Sequence, residues 1–117
     1  MKTKETMKSE VSTVPQWLKG FCRYDVEIFY EHIPKGIYIY SIISKQPRQG
    51  NGTKALREFI DLFGEYSDLW LFCDDELGTD TDTLYSWYAK FGFVPTKERI
   101  SEYNVTHKRQ ATRHIGI

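Results

Sequence analysis

The chain has 117 residues with 16 basic and 16 acidic side chains, so its formal net charge is zero. This balance gives no electrostatic reason to expect binding to nucleic acid or to an anionic membrane. Hydrophobic residues make up 40% of the chain and aromatic residues 15%, which excludes a disordered protein and predicts one domain over residues 1–117.

The cysteines and the apolar runs bear on the compartment. Cys22 and Cys73 each lie in a run with strand character, which predicts small buried thiols in a reducing compartment and not a disulfide. No secretory signal and no apolar run of bilayer length is found. We therefore expect a cytoplasmic protein without a membrane partner.

The N-terminal residues predict little regular structure. Residues 1–14 are polar and lysine-rich and predict a flexible arm. Residues 15–18 favour a short helical turn that holds this arm through Trp17.

Two strands are predicted next. Apolar and polar side chains alternate from Phe21 to Tyr30, as in a strand with one buried face. Proline and glycine at 32–36 predict a turn, and a β-branched, aromatic run follows at 37–44. We therefore expect an antiparallel hairpin over 21–44.

The second half of the chain alternates helices and strands. The pattern first predicts a helix over 51–66, interrupted by Gly64, and then a strand buried on both faces over 69–73. A second helix is expected to start among 79–82 and to stop at Gly92, followed by a strand at Phe93–Val94. A last strand is expected near the end of the tail that begins at Glu98.

A glycine loop, Pro47–Leu56, joins the second strand to the first helix through Gly50 and Gly52. A loop of this kind directs backbone N–H groups and the positive end of a helix dipole at one place, which predicts phosphate binding. Arg48 and Lys54 can add charge there. Such loops are equally common without a ligand. The endings of the Walker loop and of the dinucleotide fingerprint are both absent.

The second helix ends in the segment Trp87–Phe93. Glycine is an ordinary helix stop, and core packing accounts for Trp87, Phe91 and Phe93. Tyr88 differs from them because it lies one turn before the stop, where its hydroxyl can face a cleft.

Together and in this order, the two segments resemble motifs A and B of the GCN5-related N-acetyltransferase (GNAT) family. Motif A of that family is a strand, then Gln/Arg-x-x-Gly-x-Gly/Ala, then a helix, and Pro47–Gly52 matches it. Motif B is a helix with a tyrosine followed by Lys-x-Gly-Phe, matched by Tyr88–Phe93. The strand 69–73 falls where the family places its fifth strand. The resemblance covers residues 21–96, and the chain is similar in size to small acetyltransferases of phages and mobile elements.

The resemblance implies the GNAT acyl-CoA acyltransferase fold: α+β, with a mixed, mostly antiparallel twisted sheet flanked by helices and here a reduced N-terminal part. It implies an N-acetyltransferase that moves the acetyl group of acetyl-CoA to a primary amine by direct attack in a ternary complex. The acceptor amine, on a protein lysine, an N-terminus or a small molecule, is left open. No metal is implied.

The resemblance also implies which residues contact acetyl-CoA. The amides that would cradle the pyrophosphate are those of Arg48, Gln49, Gly50, Asn51, Gly52 and Thr53. The strand residues that would pair with the pantetheine arm are Ile42, Ile43 and Ser44. An N–H near Ile42 would hold the thioester carbonyl, and Tyr88 would be the general acid for the departing thiolate.

The chain departs from the family pattern at three places. Pro47 replaces the usual Gln or Arg, with Arg48 beside it. Thr81 stands where many members have an asparagine that helps to hold the cofactor. The first strand and the pair of helices before motif A are missing or reduced to residues 15–20.

The general base is not identified. Glu27 and Glu31 on the neighbouring strand are candidates. The acidic run 74–76 is another, although a solvated strand end explains it more simply. His32 is expected in the turn. His107 and His114 have no partner at metal-ligand spacing, so no metal is expected.

Two alternatives to the enzyme stay open. One is a catalytically idle module that binds CoA or a protein with the same fold. The other is a nucleic-acid binder that uses the basic patch Lys108, Arg109 and Arg113, although such patches are usually solvated faces.

Self-association is expected because the missing helices would leave part of the sheet uncovered. The aromatic residues expected there are Trp17, Tyr24, Tyr38 and Tyr40. A homodimer or a tight complex with the acceptor would cover them.

Overall fold

The computed structural model describes residues 17–45, 50–73, 81–100 and 103–112. Its elements, in chain order, are β1 (Lys19–Arg23), β2 (Val26–Ile33), β3 (Gly36–Ser44), α1 (Asn51–Phe63), β4 (Leu69–Leu71), α2 (Thr81–Ala89), β5 (Val94–Pro95) and β6 (His107–Arg109).

The strands form one six-stranded sheet in the order β1-β2-β3-β4-β6-β5. Strands β3 and β4 are parallel and are connected through α1, because parallel neighbours need a crossover and not a hairpin. The other neighbouring pairs are antiparallel. The predicted α+β class with a mixed, mostly antiparallel sheet is therefore confirmed.

The prediction of one strand from Phe21 to Tyr30 is wrong. Strands β1 and β2 form a hairpin whose turn residues, Tyr24 and Asp25, have φ of 55° and 60°. Both are in the left-handed region that two-residue hairpin turns require. Tyr-Asp lacks the Asn-Gly type of signal that marks such turns, so the alternation of side chains looked continuous across it.

The hairpin of β2 and β3 is confirmed, with its turn at Pro34 and Lys35. His32 lies in β2 and not in the turn as predicted. The pairing shifts by one residue along β3: Phe29 is opposite Ser41, whereas Tyr30 is opposite Ile39. Tyr40 is therefore the extra residue of a β-bulge.

Helix α1 ends at Phe63, earlier than the predicted residue 66. The N–H of Gly64 donates to the Ile60 carbonyl at 2.7 Å and closes the last turn. After it, β4 is shorter than the predicted strand 69–73: Leu69–Leu71 are all buried, as expected for a strand covered on both faces, but the strand ends there and Phe72 is exposed.

Each face of the sheet carries its own apolar cluster. The helix face is the side on which α1 and α2 lie, and its core includes Ile37, Ile39, Leu69 and Leu71 together with Phe59 of α1.

The opposite side, here the far face, carries a smaller cluster of Tyr38, Trp70 and Ile100. The Tyr38 hydroxyl donates to the Asn104 carbonyl at 3.1 Å. Consecutive side chains of β3 and β4 thus pack into the clusters on opposite faces of the sheet, which fixes the register of both strands.

Three burial expectations need correction. Cys73 is a buried free thiol as predicted, but Cys22 is exposed. Tyr38 is buried and is not part of an uncovered surface, while Tyr24 and Tyr40 are exposed. Trp17 is 71% exposed, while residues 1–16, with Pro15 and Gln16 of the expected turn, lie outside the described residues. No described helix is long and apolar enough to cross a bilayer.

Two glycines with positive φ differ in the space around them: Gly36 starts β3, close to the residue before β4, and Gly50 precedes α1. At Gly36, with φ of 136°, an added Cβ would lie 2.2 Å from the Asp68 carbonyl oxygen, whereas at Gly50, with φ of 76°, it would meet nothing within 4 Å. We expect Gly50→Ala to lower the free energy of unfolding by about 1–2 kcal/mol, the penalty of the left-handed region. Gly36→Ala should lower it further, beyond the ~1–3 kcal/mol typical of overpacking. Urea unfolding measures both, and equal losses would contradict the contact at Asp68.

Candidate active site

The sheet opens between its two parallel strands. Strand β3 pairs with β4 only from Ile37 to Ile39, opposite Leu69 to Leu71, although it pairs with β2 up to Ser44. Residues 40–44 therefore have no strand partner on the β4 side within the described chain. We call this side of residues 40–44 the open edge.

The bulge explains why the opening starts where it does. Tyr40 follows directly after Ile39, the last β3 residue that is paired with β4. A bulge bends its strand and increases the local twist. Strand β3 thus turns away from β4 at the point where its pairing with β2 shifts.

Three predicted cofactor residues lie on the open edge. Ile42 is half-buried against the core of the helix face, Ile43 is exposed and Ser44 is half-buried. Along a strand, successive backbone N–H and C=O groups point to alternate edges. Some N–H groups of residues 40–44 are therefore directed into the opening.

Ser41 lies in the open-edge segment, but its side chain is on the far face, because its partner Phe29 alternates with the buried residues of β2. Its Oγ is buried and has no hydrogen-bond partner among the described residues. Ser41 is opposite Phe29 and adjoins the bulge. Buried polar atoms are rarely left unpaired, so Ser41 is an exception among the described residues, and it does not face Tyr88.

The glycine loop forms an open helix N-terminus. Gly50 is the N-cap of α1, and its carbonyl accepts the first helical bond from the Lys54 N–H at 3.2 Å. No side chain among the described residues caps the helix, and its first turn contains no acidic residue. The N–H groups of Asn51, Gly52 and Thr53 precede the first helical donor, so they lack an intrahelical acceptor. Arg48 and Gln49 lie outside the described residues.

Trp87 brings α2 to this loop. Its indole Nε1–H donates to Thr53 Oγ1 at 3.1 Å, and a Cβ on Gly52 would lie 3.8 Å from the indole ring. Core packing alone therefore does not account for Trp87, because the indole also fixes α2 against the first turn of α1. Thr81 is the first residue of α2.

Tyr88 is half-buried and packs against the core of the helix face. The Tyr88 carbonyl accepts hydrogen bonds from the N–H groups of Phe91 (3.0 Å) and Phe93 (3.3 Å). Gly92, with φ of 95°, allows the chain to reverse there. Rings of Trp87 and Phe93 lie 5.1 and 5.7 Å from the Tyr88 ring, so the side chain is held on several sides.

His107 of β6 is a neighbour of Tyr88, although from the sequence alone it was considered only as a metal ligand and rejected. It is opposite Leu71 across β4 and β6, in line with Ile39, the last β3 residue paired with β4. Its ring is 6.2 Å from that of Tyr88. A lone histidine in a polar tail gives no sequence signal for this position, which depends on strand pairing.

The predicted base candidates lie away from Tyr88. Glu27 and Glu31 are on the far face, since they alternate with the buried residues of β2. Glu31 Oε2 accepts a hydrogen bond from the Tyr103 hydroxyl at 2.6 Å. The run 74–76 lies outside the described residues.

The expectation of a solvated basic patch is wrong for its two described members. Lys108 forms a 3.0 Å ion pair with Glu98 and lies over the Trp70 ring. Arg109 Nε donates to the Phe91 carbonyl at 2.7 Å, and its Nη1 donates to the Gly64 carbonyl at 3.2 Å. Arg113 and His114 lie outside the described residues. The part of the chain that is described brings no three His, Cys, Asp or Glu side chains together as a metal site.

Comparison with known proteins shows the fold but no family. No family model matches the chain, and no curated protein matches it. It is similar to the crystal structure of the anti-CRISPR protein AcrVA5, with a TM-score of 0.57 and 13% sequence identity, over 78% of this chain and 95% of that one. The shared fold is GNAT-like, as the two motifs predict.

Burial of His107 should make stability depend on pH. Desolvation lowers the pKa of the His107 imidazole in the folded chain. At a pH of about 6.5 the unfolded chain therefore binds a proton at this residue more readily than the folded chain does. Stability is then lost as the pH falls below about 6.5. We expect His107→Phe to flatten the pH dependence of the unfolding midpoint between about pH 7 and 5.5. An unchanged slope in that variant would show that His107 is not the group responsible.

Proposed function

We propose that the protein is an N-acetyltransferase that transfers the acetyl group of acetyl-CoA to a primary amine. The observation that carries this proposal is the convergence of three features on one opening of the sheet. These are the open edge of β3, the N-terminus of α1 without a described side-chain cap, and Tyr88 of α2. Tyr88 lies near Ile39 and Leu71, the last residues at which β3 and β4 are paired. The GNAT-like fold supports the same activity.

The residues at α1 suit a pyrophosphate. An N-terminal turn without an acidic side chain keeps its amides available and its dipole uncompensated. Gly50 and Gly52 allow the backbone to approach a ligand closely. In this proposal the amides of Gly50, Asn51, Gly52 and Thr53 hold the pyrophosphate together with Arg48 and Gln49.

The open edge suits an extended, amide-containing arm. A strand edge without a partner binds an extended chain by β-type hydrogen bonds. Ile42, Ile43 and Ser44 would therefore hold pantetheine, and an N–H of this edge would hold the thioester carbonyl. A donor placed there stabilises the charge that builds on the oxygen during attack.

Acetyl-CoA supplies an acyl carbon to which the amine nitrogen bonds, while the C–S bond breaks and its electron pair stays on sulfur. Tyr88 gives its phenolic proton to that sulfur and is reprotonated from water. The proton lost by the amine passes to solvent. Thr81, at the start of α2, would complete the cofactor site.

A charge placed in the glycine loop should abolish cofactor binding without unfolding the chain. An acidic residue in the first helical turn is favourable for the helix, and a Cβ at Gly52 meets only the Trp87 ring at 3.8 Å. We expect Gly52→Asp to keep the melting temperature but to lose acetyl-CoA binding by calorimetry, since its carboxylate competes with the pyrophosphate for the amides.

Gly52→Asn is the matched control, because it has nearly the same shape without the charge. It should bind acetyl-CoA more tightly than Gly52→Asp. If Gly52→Asp binds acetyl-CoA as well as the parent chain does, the pyrophosphate is not held at this loop.

Tyr88 should contribute to the chemical step more than to binding. General acid catalysis contributes about 10²–10⁴-fold, and the low end is expected because thiolate is a good leaving group and water can replace the phenol. Tyr88→Phe should thus lower kcat by about 10²-fold with little change in KM for acetyl-CoA.

The assay is CoA release with a panel of polyamines, lysine peptides and aminoacyl-tRNA. Full kcat in Tyr88→Phe on a true acceptor would remove the phenol from the mechanism. Acetyl-CoA binding with no CoA release on any member of the panel would favour the idle CoA-binding module.

A further inference from the structure

His107 is a buried titratable group to which the proposed reaction gives no role. Among the described residues it is the one buried polar or charged residue, with 1% of its surface exposed. Buried polar side chains are informative because each needs hydrogen-bond partners to offset its desolvation.

A threonine fixes one edge of the imidazole. Thr106 Oγ1 lies 2.8 Å from His107 Nδ1 and also accepts a hydrogen bond from the Cys73 N–H at 2.8 Å. A threonine hydroxyl has one hydrogen and two acceptor lone pairs. It can therefore accept from Cys73 and donate to Nδ1, an assignment that places the proton of the neutral ring on Nε2.

The same threonine ties the imidazole to the wall of the opening. Cys73 lies two residues beyond the end of β4, and the Thr106 N–H donates to the Leu71 carbonyl at 2.9 Å. Leu71 is in turn the last β4 residue paired with β3. The orientation of the imidazole is thus set by the strand that borders the opening.

Two tyrosines of α2 lie against the ring of His107. The Tyr85 ring is 4.5 Å away at 82°, and the Tyr88 ring is 6.2 Å away at 39°. Tyr85 and Tyr88 are three residues apart and so share one face of the helix. Contacts of this kind between rings fix their relative orientation.

We propose that His107 is a positioning residue for Tyr88, and that the hydrogen bonds from Cys73 through Thr106 to the imidazole fix where the phenol lies above the opening. This inference rests on the proposed acetyl transfer. His107 gives and takes no proton in it. The imidazole acts as a neutral, oriented ring, and desolvation supports this because it lowers the pKa of His107.

The test is a double-mutant cycle between His107 and Tyr88 in the full chain. His107→Phe keeps a ring but loses the bond to Thr106. It should lower kcat about 10-fold, because small displacements of a catalytic group have effects of this order or larger. KM for acetyl-CoA should change less than about 2-fold, since the cofactor contacts are elsewhere. In the Tyr88→Phe background the same substitution should have no further effect on kcat, because the group it positions is absent.

Two further variants separate orientation from stability. Thr106→Val keeps the imidazole and removes the hydroxyl that fixes it, so it should lower kcat in the same direction, and it replaces His107→Phe if that variant does not fold. Tyr85→Phe keeps the ring packed against His107 and should leave kcat unchanged. Thermal unfolding of all variants shows whether losses of kcat follow losses of stability.

The outcomes distinguish this inference from the function on which it rests. Equal loss of kcat from His107→Phe with and without the Tyr88 hydroxyl, or no loss in either, would overturn the positioning role while leaving acetyl transfer in place. Absence of acetyl transfer by the wild-type chain on every amine tested would overturn the proposed function and this inference with it.

Discussion

Strand β3 pairs with β2 from Gly36 to Ser44, interrupted only by the bulged Tyr40, but it pairs with β4 over only three residues. The bulge at Tyr40 makes this possible, since it turns the strand after Ile39. A sheet that stayed paired to Ser44 on both sides would have no unpaired backbone to offer. The opening of the candidate site is therefore set by strand pairing, and the surrounding side chains line an opening that the backbone forms.

Side chains of the short strand β6 hold α2 next to the opening. Arg109 binds backbone carbonyls that follow both helices, at Gly64 after α1 and at Phe91 after α2. His107, two residues earlier on the same strand, supports the tyrosine face of α2. Trp87 adds a third tie at the N-terminus of α1. Helix α2 is thus fixed at several points, which suits a residue whose hydroxyl must meet a reacting atom.

Sequence patterns predicted the parts of this arrangement that are local. The glycine loop, the buried strand Leu69–Leu71 and the glycine stop after Tyr88 are each contained in a few consecutive residues. The Tyr24–Asp25 turn escaped because its residues are not the usual ones for a turn with positive φ. The bulge at Tyr40 and the place of His107 escaped for another reason. Both depend on which residues of distant strands are opposite each other, and a single sequence does not state that register.

Hydrogen exchange resolved to single amides, with and without acetyl-CoA, tests the central claim most directly. Acetyl-CoA should slow exchange at those amides of residues 40–44 that point into the opening and at Asn51 to Thr53, since within the described chain these groups have no backbone acceptor. Amides in the middle of β2, already paired on both sides, should change little. Binding that leaves both segments unprotected, or that protects the far face instead, would contradict the account.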